Sequence, residues 1–132
     1  MPLQLNIHEP AQRTAFRRFN AIWTPTALVL DRDGNERWRI EGFLPTREFH
    51  AQLEMALARI VALRKRWADA EPIYARIAEQ FADTLVAPEA LYWRGISAYQ
   101  VTREHASLER MATELTSRFP RSEWAIKASV WV

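Results

Sequence analysis

Apolar and polar positions follow two rhythms along this chain, and the rhythm changes near residue 46. "PLQLNI" at 2–7 sets Leu3, Leu5 and Ile7 against Gln4 and Asn6, the period-two pattern of a half-buried strand. "EPAQRTAFRRF" at 9–19 gathers Ala15, Phe16 and Phe19 on one helical side, away from Arg13, Arg17 and Arg18. Pro10 suits the first turn of that helix, where its missing N–H is not needed. "TALVL" at 26–30 is an uninterrupted apolar run with β-branched residues, as in a strand covered on both faces. Asp33-Gly34 then signals a hairpin turn. "ERWRIEGF" follows, with Trp38 and Ile40 inward and Arg37, Arg39 and Glu41 outward, as on an exposed-edge strand.

From Thr46 the period becomes 3.6. Phe49, Leu53, Leu57, Ile60 and Val61 form an apolar stripe, with Thr46 as N-cap and Glu48 in the first turn. Arg64, Lys65 and Arg66 fall near the far end, where cations complement the helix dipole. Beyond about residue 67 the pattern is wholly helical and begins to repeat. A shift of 38 residues brings Phe81 onto Phe119, Ile77 onto Leu115, Ala87 onto Ala125, Ala90 onto Ala128 and Trp93 onto Trp131, with Thr84 on Ser122. Fixed-period similarity in a helical region predicts stacked helix pairs, each unable to bury its face alone.

Composition narrows the chemistry. The 132 residues, 48% of them apolar, suffice for a real core. Eighteen cations nearly cancel sixteen anions, and they are scattered rather than gathered on one surface, which argues against nucleic-acid binding. There is no cysteine, so the chain itself supplies no disulfide, thiolate metal site or thiol chemistry. His8, His50 and His105 share no ligand spacing, so neither zinc nor any other cofactor is expected. "DRDGNE" does not fit a calcium loop, which needs glycine at its sixth position, whereas Gly34 is the fourth residue from Asp31. With three glycines in all there is no phosphate-cradling loop. No stretch approaches the roughly 20 apolar residues of a membrane span, and the N-terminus lacks the layout of a signal peptide. A soluble, cytoplasmic protein is expected.

Residues 2–64 resemble the C-terminal portion of a thioredoxin fold. The features that carry the resemblance are "PLQLNI", a crossover helix, "TPTALVLD" leading into a Gly-turn hairpin, Gly42 at the end of the last strand, and the long helix at 46–64. The resemblance implies a cis Thr24–Pro25 bond. It also implies a loop of Trp23, Thr24 and Pro25 in which Thr24 offers main-chain groups to an extended peptide. Residues 65–131 resemble tetratricopeptide-type helical hairpins. Gly95 and Ala98 fall where helix A of such a repeat packs closely, Ala70, Tyr74 and Ile77 fit helix B, and "FPRSEWAIKA" looks like the junction into a further repeat. Such combinations occur among bacterial proteins. The family's Cys-x-x-Cys has no counterpart here, so redox activity is not carried over.

The expected architecture is therefore α/β, an incomplete thioredoxin-like fold (β-α-β-β-α) in residues 1–64, continuing into a tetratricopeptide-like tail at 65–132. In the family a central strand separates the counterparts of "PLQLNI" and "TALVL". Its absence would leave the flanking strands roughly 9.6 Å apart with facing backbone groups unpaired. Three outcomes are open: those strands close on each other, another chain fills the gap, or a cysteine-bearing segment precedes residue 1 in the natural gene, the last being the biological account favoured. For the chain alone, self-association through exposed edges is expected. Two functions follow: a thiol-disulfide oxidoreductase relative that is redox-inactive as given, or a non-enzymatic module that binds protein through its helical tail. Six tryptophans are many for this length; Trp93 and Trp124 are expected to pack helix on helix. Ile126, Val130 and Trp131, at the end of the stack, form a candidate partner surface.

Overall fold

The structure, a computed structural model, describes residues 2–132. In chain order it comprises α1 (Arg13–Arg18), β1 (Thr26–Leu30), β2 (Glu36–Glu41), α2 (Thr46–Leu63), α3 (Trp67–Gln80), α4 (Ala87–Thr102), α5 (Ala106–Arg118), α6 (Glu123–Ala128) and a closing 3₁₀ turn at Ser129–Trp131. The two strands form the only sheet among the described residues, an antiparallel hairpin.

The strand expected at 2–7 is absent, which corrects the β-α-β-β-α reading to an α-β-β-α order. Leu3 and Leu5 are exposed, and residues 6–13 are tied into local turns by Glu9 N–H to Asn6 O (3.1 Å) and Arg13 Nε to Ile7 O (3.0 Å). A strand is stabilised by the ladder it joins, and residues 2–7 join none among the described residues. The following helix begins at Arg13, three residues beyond Pro10, which lies in the preceding turn. Its Ala15, Phe16 and Phe19 are half-buried on one side.

The hairpin turns where Asp33-Gly34 predicts, with Gly34 at φ +84°. Asp31 organises the turn. Its carboxylate accepts the N–H groups of Asp33 and Asn35 (2.9 Å each) and the Arg37 Nε (3.0 Å). Ile40 is buried, and Trp38 donates from Nε1 to Gln52 Oε1 of α2 at 2.6 Å. Arg39 is not a free outer residue: it reaches Glu36 and the Phe19 carbonyl, fastening the α1 segment to the other side of the sheet.

α2 buries a different face from the one its large side chains predict. Ala51, Met55, Ala58 and Ala62 join the helical core, while Phe49 and Leu57 are exposed and Leu53, Ile60 and Val61 only half-buried. Small side chains let the α2 and α3 backbones approach, and close packing of those backbones outweighs the burial of a bulkier stripe. Thr46 is the first helical residue and makes no cap; Pro45 stands at the N-cap. The Arg64-Lys65-Arg66 cluster builds the α2–α3 turn, with Lys65 left-handed at φ +57° and Arg66 paired to Asp69 at 2.8 Å.

The core runs without interruption from α2 through α6. Tyr74, Met55, Ile77, Leu91 and Leu115 are its largest fully buried side chains. Residues 38 positions apart take equivalent places. The Phe81 and Phe119 N–H groups close α3 and α5 on the carbonyls of Ile77 (2.9 Å) and Leu115 (2.8 Å). The Thr84 and Ser122 hydroxyls donate back to those phenylalanine carbonyls, at 2.6 and 2.8 Å. Ala87, Ala90, Ala125 and Ala128 are all buried at the next contact.

Candidate functional site

Two groups of sequence-predicted residues stand at separate places on the fold. Trp23, Thr24 and Pro25 lead into β1. The Thr24–Pro25 peptide bond is cis, Thr26 Oγ1 donates to Trp23 O at 2.6 Å, and the Gly42 N–H donates to Pro25 O at 2.8 Å. Gly42 sits at φ +87°, a conformation that β-carbons disfavour. Among the described residues the main-chain groups of Thr24 have no hydrogen-bond partner. Trp23 is 66% exposed, and Ile22 and Phe43 beside it are exposed at 81% and 88%. Trp23 is thus an exposed apolar side chain at the open end of the hairpin.

The second group closes the helical stack. Ile126 and Val130 are exposed, whereas Trp131 is half-buried. Trp131 folds back onto α4, its ring 6.1 Å from that of Tyr92, and Tyr92 in turn packs on Trp124 (5.1 Å) and Trp93 (5.5 Å). The end of the stack is thus partly capped by its own indole, leaving Ile126 and Val130 as the outward apolar residues. A shallow open groove beside Trp131 is lined by His105, Glu109, Thr113, Val130 and Val132. The α5 members of that groove are unmarked in the sequence. They read as a solvated helix face, and only the return of residues 129–132 along α5 makes them walls.

A titratable group missed by pattern reading sits on α4. Burial pushes the Glu89 carboxyl above its usual range, opposed by the Trp93 indole beside it and by Arg59 and Lys127. Trp93 Nε1 is buried and makes no well-formed hydrogen bond among the described residues. Tyr74, buried beneath, has its phenol pushed well above the ordinary range, again chiefly by burial. Lys127 Nζ sits 4.0 Å over the Trp124 ring, so that indole already holds a cation. His50 packs edge-on against Phe81, with ring centroids 5.0 Å apart.

Among the described residues no group of three or more His, Asp or Glu side chains could hold a metal ion, and no helix is long and apolar enough to cross a membrane. No curated protein and no solved structure matches the chain. Residues 2–57, from the N-terminal turns through the hairpin to Leu57 of α2, match the family model described as a thioredoxin-like domain.

Proposed function

We propose that this chain is a redox-silent relative of the thiol-disulfide oxidoreductases that acts by binding other polypeptides. Disulfide exchange proceeds by attack of a thiolate on a sulfur, and a chain without cysteine offers neither attacking nor resolving group. One observation carries the reading: the thioredoxin-like segment ends in a helix whose buried alanines are already part of a longer helical core. The thioredoxin-like segment thereby serves as the first layer of a stack.

In this reading residues 1–64 are the thioredoxin-like portion and residues 65–132 a tetratricopeptide-like tail. The equivalent phenylalanine-closed helix ends and buried alanine pairs support the repeat. Partners are polypeptides, with no nucleic acid, membrane or cofactor involved. The binding surfaces are the Ile126, Val130 and Trp131 end of the stack and, second, the Trp23, Thr24 and Pro25 loop, whose unpaired Thr24 backbone suits an extended peptide.

The test has two arms. Insulin reduction by dithiothreitol is expected to run at the background rate when the chain is added. Peptides selected from a displayed library on the folded chain are expected to shift backbone resonances at residues 123–132 or 22–26. Turnover above background, or selected peptides that shift neither region, would refute the proposal.

A further inference from the structure

We propose that two copies of this chain pair edge to edge through β1, antiparallel about a twofold axis at Leu28, making one four-stranded sheet in the order β2–β1–β1–β2. This goes beyond peptide binding by the tail and does not depend on it.

The ladder itself shows which backbone groups are spare. In an antiparallel pair, hydrogen-bonded and non-bonded residue pairs alternate. Gly42 N–H bonds Pro25 O, and the register continues Thr26 with Glu41, Ala27 with Ile40, Leu28 with Arg39 and Val29 with Trp38. Ala27 and Val29 therefore exchange bonds with β2, while the N–H and C=O of Thr26 and Leu28 point to the opposite edge. Beyond the irregularity after Val29, the Asp31 N–H bonds Asn35 O, so Leu30 also points outward. Among the described residues of the single chain, that edge has no strand beside it.

The two edges of the hairpin are built differently. β2 carries Glu36, Arg37, Arg39 and Glu41 among its six residues, the charged guard that keeps a true edge from pairing. β1, "TALVL", carries no charge and no proline. An isolated two-stranded hairpin is marginal, and three or more strands are needed for independent stability. α2 packs against β2, and Arg39 of β2 holds the α1 segment on the other face, so both covering layers are anchored on the strand away from the open edge.

A second copy satisfies these conditions at once. With Leu28 opposite Leu28, Thr26 meets Leu30 and Ala27 meets Val29, so the whole strand overlaps and every outward group finds a partner. No like charges meet, because the strand has none. The outermost strands are then both β2, guarded by charge, so the assembly closes as a dimer and does not extend.

Sedimentation of the full chain over a wide concentration range is expected to show a monomer–dimer equilibrium. Amide exchange at Thr26 and Leu28 is expected to slow as concentration rises. Leu28→Glu sets a carboxylate opposite Arg39 of its own copy but opposite its twin across the axis. It is expected to weaken dimerisation roughly five- to tenfold, with Leu28→Gln much milder. Far-UV circular dichroism confirms that the variants keep their helices; should Leu28→Glu lose them, the exchange data on the unaltered chain decide. A monomer at all concentrations would overturn the proposal. So would an open-ended assembly, a dimer whose Thr26 and Leu28 amides stay fast, or protection of those amides only when another polypeptide is added.

Discussion

Gly95, in the middle of α4, tests how closely α4 and α5 are packed, because the sign of one substitution depends on it. A β-carbon there would come within 2.5 Å of Met111 Cγ, nearer still to Met111 Cβ, and 3.3 Å from Met111 Cε. The nearest of these atoms is fixed to the α5 backbone and cannot swing aside, and Met111 is only 3% exposed. On an open helix surface Gly→Ala would stabilise by about 1 kcal/mol. Forcing an extra methyl group into a packed contact costs about 1–3 kcal/mol, and a clash at Cβ belongs at the upper end. Gly95→Ala is therefore expected to destabilise by roughly 1–2 kcal/mol. With a urea m-value of about 2 kcal/mol/M, the midpoint falls by roughly 0.5–1 M. Urea titration followed by circular dichroism reads this directly. In a Met111→Gly background, which removes the opposing Cβ, the same substitution is expected to raise the midpoint. A rise in the unaltered background would show that α4 and α5 do not meet as described.

Four further outcomes are expected. Ser122 accepts the Ala125 N–H at 3.1 Å as the N-cap of α6, so Ser122→Ala is expected to cost about 1 kcal/mol, seen as faster amide exchange at residues 125–128 with α2–α5 unchanged. The Asn35 N–H foremost, with Asp33 and Arg37, holds the Asp31 carboxyl down to about 2. Its stabilising contribution is present above the ordinary carboxylate range and lost as pH falls toward 2, so Asp31→Asn is expected to flatten the acid limb of the stability profile. Burial raises the Glu89 carboxyl, so the folded state holds its proton more tightly than the unfolded one. The associated stability is full below the ordinary carboxylate range and lost as pH rises through the raised value; Glu89→Gln is expected to gain urea resistance at pH 7 and none in acid. Tyr74 is likewise raised by burial. The stability tied to it is lost as pH climbs past the ordinary phenol range, and its phenolate absorbance is expected to emerge only with unfolding.

The hairpin was legible because its signals are local: a Gly-containing turn, alternating inward residues, and an apolar run whose length sets a strand. The helical stack was legible for a different reason, since phenylalanine, alanine and hydroxyl residues recur at one spacing and end in equivalent hydrogen bonds. What failed was information held by neighbours. The alternation of Leu3, Leu5 and Ile7 says that a strand has a suitable face but not that a ladder exists to receive it. The α2 stripe was misassigned because large apolar residues dominate a periodicity reading, whereas the buried face is mostly alanine, selected by close helix approach. At the candidate surfaces, Trp23 and Ile126 are exposed. Trp131 is not, because residues 129–131 turn back and bring it against Tyr92. Nothing in "KASVWV" encodes that return. Glu89 is ordinary in sequence and distinctive only once the fold buries its carboxyl.

The most direct test of the account is residue-resolved amide exchange along β1 in dilute solution, where the single chain predominates. The structure predicts alternation: Ala27 and Val29, bonded to β2, exchange slowly, and Thr26 and Leu28, facing the unguarded edge, exchange quickly. Uniform slow exchange from Thr26 to Leu30 in the monomer would mean that another part of the same molecule already occupies that edge, and the open edge assigned to β1 would be wrong.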